Sequence, residues 1–84
     1  MNESHGEIAA QGRILTALLI GPMTRRQVAI ALHHTPAWAD RGVRSLLRTH
    51  HIIRIATPRF TGGLDWRYAL TQRGLRAAQQ RISA

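Results

Sequence analysis

The sequence predicts a mostly α-helical domain with one small β-hairpin, in the order helix, helix, helix, hairpin, helix. Two helix starts follow each other closely at Thr24 and Thr35, so a short turn joins two short helices. Further along, apolar and polar residues alternate near the turn signal Gly62-Gly63, which is typical of paired strands. All twelve basic residues are arginine, against four acids, and the formal net charge is +8. This balance favours a polyanionic partner.

Length and composition predict a single small domain. With 84 residues the chain has little stability margin for folding alone, so we expect a dimer, with a flexible polar segment over 1–6 and the domain over 7–84. The absence of cysteine excludes disulfides and thiolate metal sites. The longest apolar run, 14–20, is far shorter than the roughly 20 residues of a bilayer span. No basic segment precedes it, so we expect a cytoplasmic, nucleoid-associated protein without membrane contact.

Helix one is predicted from Glu7 to Ile20. Its apolar residues recur at helical spacing, and the dipeptide Gly21-Pro22 ends the pattern. The residues that form this stripe are Ile8, Leu15, Leu18 and Leu19, with Ile14 on the flank. We expect this helix to contribute packing.

Helices two and three are predicted from their N-terminal caps. Before helix two, Thr24 and Gln27 have the Thr-x-x-Gln spacing of a capping box. Before helix three, Thr35 suits the cap and Pro36 the first helical position, and the helix runs to about Thr49. Two short helices joined by a tight turn, the second bearing outward arginines, form the helix-turn-helix that places a helix in a DNA major groove.

Helix three has two distinct faces when it is plotted at about 100° per residue. The side expected to cover the core carries Ala39, Val43, Leu46, Leu47 and His50. The opposite side carries Ala37, Arg41, Arg44, Ser45 and Arg48, with Trp38 near its edge. The outward face is therefore basic. Its first turns are the part that usually meets base edges, and its later arginines are placed to meet phosphates.

A hairpin and a closing helix follow helix three. Residues 52–56 are mostly β-branched, and residues 65–70 alternate at the strand period. Thr71 then caps a last helix, which is predicted from Gln72 to about Ser83. Its apolar stripe consists of Leu75, Ala78 and Ile82, and Gly74 is expected to weaken it.

The whole arrangement resembles the winged helix-turn-helix domains of prokaryotic or phage transcriptional regulators. Residues 22–29 resemble the entry into helix two, and residues 46–54 resemble the passage from the recognition helix into the first wing strand. Residues 68–75 match the Tyr-x-Leu-Thr-x-x-Gly step into the closing helix. Such domains usually have Gly before the Ile-Ile pair, where this chain has His51. We therefore expect His51 to take a positive φ.

The resemblance implies a homodimeric, sequence-specific repressor or other regulator that binds double-stranded DNA. The recognition helix, about 35–49, would enter the major groove, and the wing, about 53–70, would lie on the backbone or minor groove. The dimer would form through helix one and the C-terminal helix, whose apolar residues exceed the needs of a three-helix core. The candidate DNA-binding residues are Arg25, Arg26, Thr35, Ala37, Trp38, Arg41, Arg44, Ser45, Arg48, Arg59 and Arg67.

For some of these residues there is an alternative role that does not involve DNA. Trp38 would fold back against helix two or the wing, because indole rings are more often buried than offered to bases. Arg44 and Arg48 would form a solvated face, but we expect no acid four residues away to pair with either, which favours phosphate contact. Arg59 would be an ordinary loop arginine.

Metal binding and catalysis are both disfavoured. The pairs His33-His34 and His50-His51 suggest imidazole ligands, but adjacent histidines point apart on a helix and the acids do not supply the further ligands of a zinc site. We expect no metal and no cofactor. The chain has no Cys, no Lys, no paired carboxylates and no Gly-rich phosphate loop before a helix, so we expect no enzyme.

Two other functions remain open from the sequence. The first is a protein-interaction or RNA-binding winged-helix module, because one fold hosts many functions. The second is an architectural or packaging protein that binds DNA tightly without selecting its sequence.

Overall fold

Four helices and one two-stranded antiparallel sheet make up the fold. A computed structural model describes the backbone of residues 2–83 and the side chains of residues 9–83. The elements are α1 (Asn2–Leu18), α2 (Arg25–Ala31), α3 (Pro36–Arg48), β1 (Ile52–Pro58), β2 (Leu64–Leu70) and α4 (Gln72–Ser83). Their order confirms the predicted fold class.

The bounds of α1 differ from the prediction at both ends. The helix begins at Asn2 rather than Glu7 and ends at Leu18 rather than Ile20. The early start has a local cause, since the prediction began near the first apolar residue whereas helices tolerate polar first turns. The side chain of Ile8 lies outside the described residues. The division into a flexible segment 1–6 and a domain 7–84 stays a prediction.

The N-terminal caps of α2 and α3 are confirmed. Thr24 Oγ1 accepts a hydrogen bond of 3.1 Å from the Gln27 backbone N–H, and the Gln27 side chain accepts one of 2.9 Å from the Thr24 N–H. These two bonds form a capping box, which satisfies two backbone donors that the helix itself cannot pair. Thr35 Oγ1 accepts from the Trp38 N–H at 3.2 Å, and Pro36 is the first residue of α3.

The two histidine pairs form the C-terminal ends of these helices. His33 and His50 have φ of 57° and 62°, and the N–H groups of His34 and His51 donate to carbonyls five residues back. This is the pattern of a Schellman motif, in which Gly is the usual residue at the left-handed position. The prediction that His51 takes the positive φ is therefore wrong, since His50 does. His50 is also exposed rather than in the core, because the chain has left the helix there.

The hairpin is joined to the helices by a third extended segment. Its strands pair antiparallel from Ile52 opposite Leu70 to Pro58 opposite Leu64. On the other edge of β2, Met23 and Tyr68 exchange backbone hydrogen bonds of 3.1 and 2.7 Å. The hairpin is therefore anchored to the loop before α2, which fixes its position relative to the helix-turn-helix.

One apolar core lies between the four helices and the base of the hairpin. Its buried residues are Ile14, Leu15, Leu18, Val28, Ala29, Ala39, Val43, Leu46, Ile52 and Ala78. The predicted stripe of α4 is only partly in this core, since Ala78 is buried whereas Leu75 and Ile82 are 38% and 64% exposed. Among the described residues, no helix is both long and apolar enough to cross a membrane.

The start of α4 is hydrogen-bonded to the end of α3. The Thr71 N–H donates to the His51 carbonyl at 3.1 Å, and its hydroxyl donates to the His50 carbonyl at 2.7 Å. The same hydroxyl accepts from the Gly74 N–H at 3.1 Å, which confirms Thr71 as the cap. Arg73 donates to the Thr49 carbonyl at 3.0 Å. Together these bonds satisfy carbonyls that the end of α3 leaves unpaired.

Candidate nucleic-acid interface

The outer face of α3 is exposed and basic. Ala37, Arg41, Arg44 and Arg48 are exposed, whereas Ala39, Val43 and Leu46 on the opposite side are buried. The predicted faces are therefore confirmed except for His50, which is exposed, and Ser45 is half-buried at the boundary. Because the inner face is fixed by the core, the outer arginines are carried on a rigid element.

One acid, Asp40, forms ion pairs with an arginine of α2 and an arginine of α3. Arg44 Nε lies 2.9 Å from Asp40 Oδ2, and Arg25 Nη1 lies 3.3 Å from Asp40 Oδ1. The expectation that Arg44 has no acid four residues away is wrong, because Asp40 stands at that spacing. Exposed pairs of this kind stabilise a fold by at most about 1 kcal/mol. Their effect here is instead to tie α2 to α3 and to reduce the charge on one edge of the basic face.

Three further arginines make no ion pair with the side chains that the structure describes. Arg26 at the start of α2, and Arg41 and Arg48 on α3, are exposed and have no acidic neighbour there. Their guanidinium groups remain available to an external anion. Because Arg carries five donors in a planar fork, each can meet phosphate oxygens or a guanine edge with two hydrogen bonds.

Trp38 packs against the turn between α2 and α3. Its ring stacks on His34, with centroids 3.9 Å apart and an angle of 9° between the planes. The Arg13 guanidinium lies 5.8 Å from the Trp38 ring centroid and donates to the Leu32 carbonyl at 3.2 Å. The structure thus favours the alternative in which Trp38 folds back, although against the turn and α1 rather than the wing. A DNA contact by Trp38 stays a prediction.

The hairpin carries a second acid shared by two arginines. Arg59 Nε lies 2.7 Å from Asp65 Oδ1, and Arg67 Nη2 lies 3.9 Å from Asp65 Oδ2. Arg67 is half-buried, and its Nε has no hydrogen-bond partner. Its side chain lines a pocket beside residues 20–23, on the opposite face of the sheet from Trp66. Arg67 is therefore the wing candidate with the least access to an external partner.

Arg54 is a basic residue of the hairpin that the sequence analysis did not select. It is exposed on β1, and its guanidinium lies 5.7 Å from the ring centroid of Trp66, which is itself 57% exposed. Cross-strand register places both on the same face of the sheet. The sequence signal that could have identified it is a single arginine within the apolar run 52–56.

An open cleft joins the hairpin to the helix-turn-helix. Its volume is about 600 Å³. It is lined by Thr24, Arg25, Arg26, Pro36, Arg59, Asp65, Trp66 and Tyr68. Three arginines from two separate elements therefore face one concave surface beside the start of α3. Among the described residues, no three His, Asp or Glu side chains are grouped closely enough to hold a metal ion.

Several solved structures share this fold. ZitR from Lactococcus lactis superposes with a TM-score of 0.75 at 18% identity, covering 89% of this chain and 50% of that one. RV1404 from Mycobacterium tuberculosis gives 0.76 at 29% identity, covering 88% and 50%. The adhesin competence repressor AdcR from Streptococcus pyogenes gives 0.74 at 20% identity, covering 88% and 54%. The chain is a winged helix-turn-helix domain.

This winged helix-turn-helix domain spans about half the length of the solved chains that it matches. No protein-family model and no curated protein matches it. One of the ZitR structures is a complex with DNA, and it superposes with a TM-score of 0.73 at 19% identity, covering 88% of this chain and 49% of that one.

The winged helix-turn-helix domain brings most of the candidate residues to one side. Thr35, Ala37, Arg41, Arg44 and Arg48 follow the outer face of α3, and Arg25, Arg26 and Arg59 line the adjoining cleft. Trp38 and Arg67 lie apart from this surface. We call β1, β2 and the loop between them the wing, and α3 the recognition helix.

Proposed function

We propose that the domain binds double-stranded DNA in a sequence-specific manner as a transcriptional regulator. The observation that carries this proposal is the basic outer face of the recognition helix, which is held rigid by the core and flanked by a basic cleft and a wing. An α-helix fits the B-DNA major groove, which is about 12 Å wide. The DNA complex of ZitR, a protein of the same fold, supports the proposal. The proposed activity is binding, and no residue is given a catalytic role.

Position on the recognition helix divides the proposed contacts into two kinds. Ala37 and Arg41 lie in its first turns and would meet base edges, whereas Arg44 and Arg48 lie further along and would meet phosphates. Arg25 and Arg26 would hold a phosphate beside the cleft. The full proposed interface comprises Arg25, Arg26, Thr35, Ala37, Trp38, Arg41, Arg44, Ser45, Arg48, Arg59 and Arg67.

A comparison of nucleic-acid types tests this proposal. Fluorescence anisotropy at physiological salt would compare the binding of the wild-type domain to several duplexes of different sequence, to their separated strands and to the matching single-stranded RNA. We expect the duplexes to bind most tightly, because the exposed basic face of the recognition helix can enter a major groove, which separated strands lack. Preferred binding of RNA or of single strands would instead support the RNA-binding alternative. Tight binding that does not vary with duplex sequence would support an architectural role.

Asp40→Asn is expected to raise affinity for random duplex DNA by about two- to fivefold at low salt. The change removes one negative charge and releases Arg25 and Arg44, so that two more guanidinium groups can reach phosphates. The slope of log affinity against log salt should steepen by about one to two. As a control, Gln80→Arg changes the net charge by the same amount on the side of α4 away from Leu75 and Ile82. An equal gain for the control would show that only net charge matters.

We further propose a homodimeric repressor of the cytoplasm and nucleoid, joined through α1 and α4. These helices pack against each other within the chain, yet Leu75 and Ile82 of α4 remain 38% and 64% exposed. Contact between these side chains and a second copy of the chain would remove their apolar surface from water. We expect sedimentation velocity to detect a dimer at micromolar concentration. Ile82→Arg should shift it to monomer, whereas Gln80→Arg, on the opposite side of α4, should not. A wild-type monomer at this concentration would contradict the proposal.

A further inference from the structure

The tip of the wing presents apolar side chains to solvent. Phe60 is fully exposed, and Leu64, which opposes Pro58 in the strand register, is 51% exposed. These three residues, Pro58, Phe60 and Leu64, form the apolar tip. An exposed phenylalanine at the furthest point of a hairpin has no role in the core of this fold, so its surface is available to a partner.

Hydrogen bonds hold the apolar tip in one conformation. The Arg59 N–H donates to the Gly63 carbonyl at 3.0 Å, and the Gly62 N–H donates to the Arg59 carbonyl at 3.2 Å. Gly62 and Gly63 take φ of 99° and 80°, which side chains would disfavour. Phe60 is therefore presented on an ordered turn. Because the backbone of this turn is already ordered, it loses little conformational freedom when Phe60 is inserted into a binding partner.

Charge at the tip is largely cancelled. Asp65 pairs with Arg59 at 2.7 Å and lies 3.9 Å from Arg67, so the arginine nearest to the apolar tip already has a counter-ion. The tip is consequently better suited to an apolar contact than to a phosphate. On duplex DNA, apolar side chains contact the faces of base pairs by wedging between steps in the minor groove, which unstacks the step and kinks the helix.

We infer that Phe60 is a DNA-bending wedge, which inserts between adjacent base pairs where the wing meets the minor groove. The inference rests on the proposed function, because it requires the wing to lie on duplex DNA. Such a wedge is a source of sequence specificity outside the recognition helix. Pyrimidine–purine steps such as TA and CA unstack most readily, so the wedge selects them at the flank of the site without a hydrogen bond to any base.

Selection of bound duplexes from a random pool tests this wedge with three proteins: wild type, Phe60→Ala and Phe60→Leu. We expect all three to enrich the same central sequence, because the recognition helix is unchanged. Only wild type and Phe60→Leu should also enrich a pyrimidine–purine step at the flank. Loss of the wedge should weaken binding to the selected duplex roughly tenfold, and duplexes labelled at both ends should show less bending by energy transfer.

The outcomes separate the wedge from the proposed function. If Phe60→Ala retains the flanking step and the bend, the wedge is wrong while sequence-specific binding stands. If the wild type enriches no sequence, the proposed function fails and the wedge fails with it. Because Phe60 is fully exposed, its removal should leave the melting temperature unchanged. Thr61→Ala, which changes the exposed residue next to Phe60 but not the apolar surface of the tip, should retain the flanking step.

Discussion

Arg41→Ala is expected to weaken binding to the preferred duplex by about 1–3 kcal/mol and to relax selection at one base pair. Arg41 is exposed in the first half of the recognition helix and makes no ion pair with a described side chain. Its guanidinium can therefore approach a guanine edge with two donors, and truncation leaves those acceptors without partners. Binding titrations on the preferred duplex and on its single-base variants measure both effects.

Arg48→Ala provides the matched comparison. Arg48 is equally exposed but lies in the last turn of the same helix, where we expect phosphate contact. Its removal should lower affinity on all sequences to a similar extent and reduce the salt slope by about one. If both variants lose the same affinity on preferred and random duplexes, the base-reading role of Arg41 is wrong.

Gly74→Ala is expected to destabilise the domain by about 3 kcal/mol, although Gly→Ala within a helix usually stabilises by up to about 1 kcal/mol. A Cβ at Gly74 would overlap the His51 carbonyl oxygen and would lie 3.2 Å from the Leu70 side chain. To relieve the overlap, α4 would have to move away from the end of α3. That movement would break the hydrogen bonds from Thr71 to the His50 and His51 carbonyls.

Thermal and urea unfolding would measure this loss. For a domain of this size, about 3 kcal/mol lowers the melting temperature by roughly 10–20 °C. Gly12→Ala is the matched control in α1. There the added Cβ would meet the guanidinium of Arg81, which is the end of a flexible side chain and can swing aside. Equal melting temperatures for Gly74→Ala and wild type would contradict the close packing of α4 on the end of α3.

Elements with local sequence signals were predictable. The caps at Thr24, Thr35 and Thr71 each satisfy backbone donors within three residues, so their spacing alone predicts where α2, α3 and α4 begin. The outer face of α3 followed from helical periodicity. The Asp40–Arg44 ion pair was equally local, because the two residues stand four positions apart in the same helix. The sequence therefore displayed this pair, and our expectation that Arg44 has no acidic partner was wrong.

Features that depend on distant residues were not predictable. Arg13 reaches the turn between α2 and α3 across about twenty residues of chain, and Arg25 meets Asp40 across fifteen. Gly74 looked like a weakness in α4, whereas the structure shows that only Gly fits beside the His51 carbonyl. In each case the deciding partner belongs to another element, and no periodicity in the sequence points to it.

The Schellman ends of α2 and α3 are an intermediate case. A histidine at the left-handed position replaces the usual glycine, so the sequence lacked its normal signal. The structure thereby gives the histidine pairs a role in ending helices. Thr49 contributes to the second end, because its Oγ1 lies 2.6 Å from His51 Nδ1.

Selection of bound duplexes from a random DNA pool at physiological salt would show directly whether the recognition helix reads DNA sequence. Sequencing of duplexes retained by the wild-type domain should reveal an enriched inverted repeat, with half-sites about one helical turn apart if two copies bind together. Arg41→Ala should relax one position of each half-site. Retention without any enriched sequence, or no retention at all, would contradict sequence-specific DNA binding by this domain.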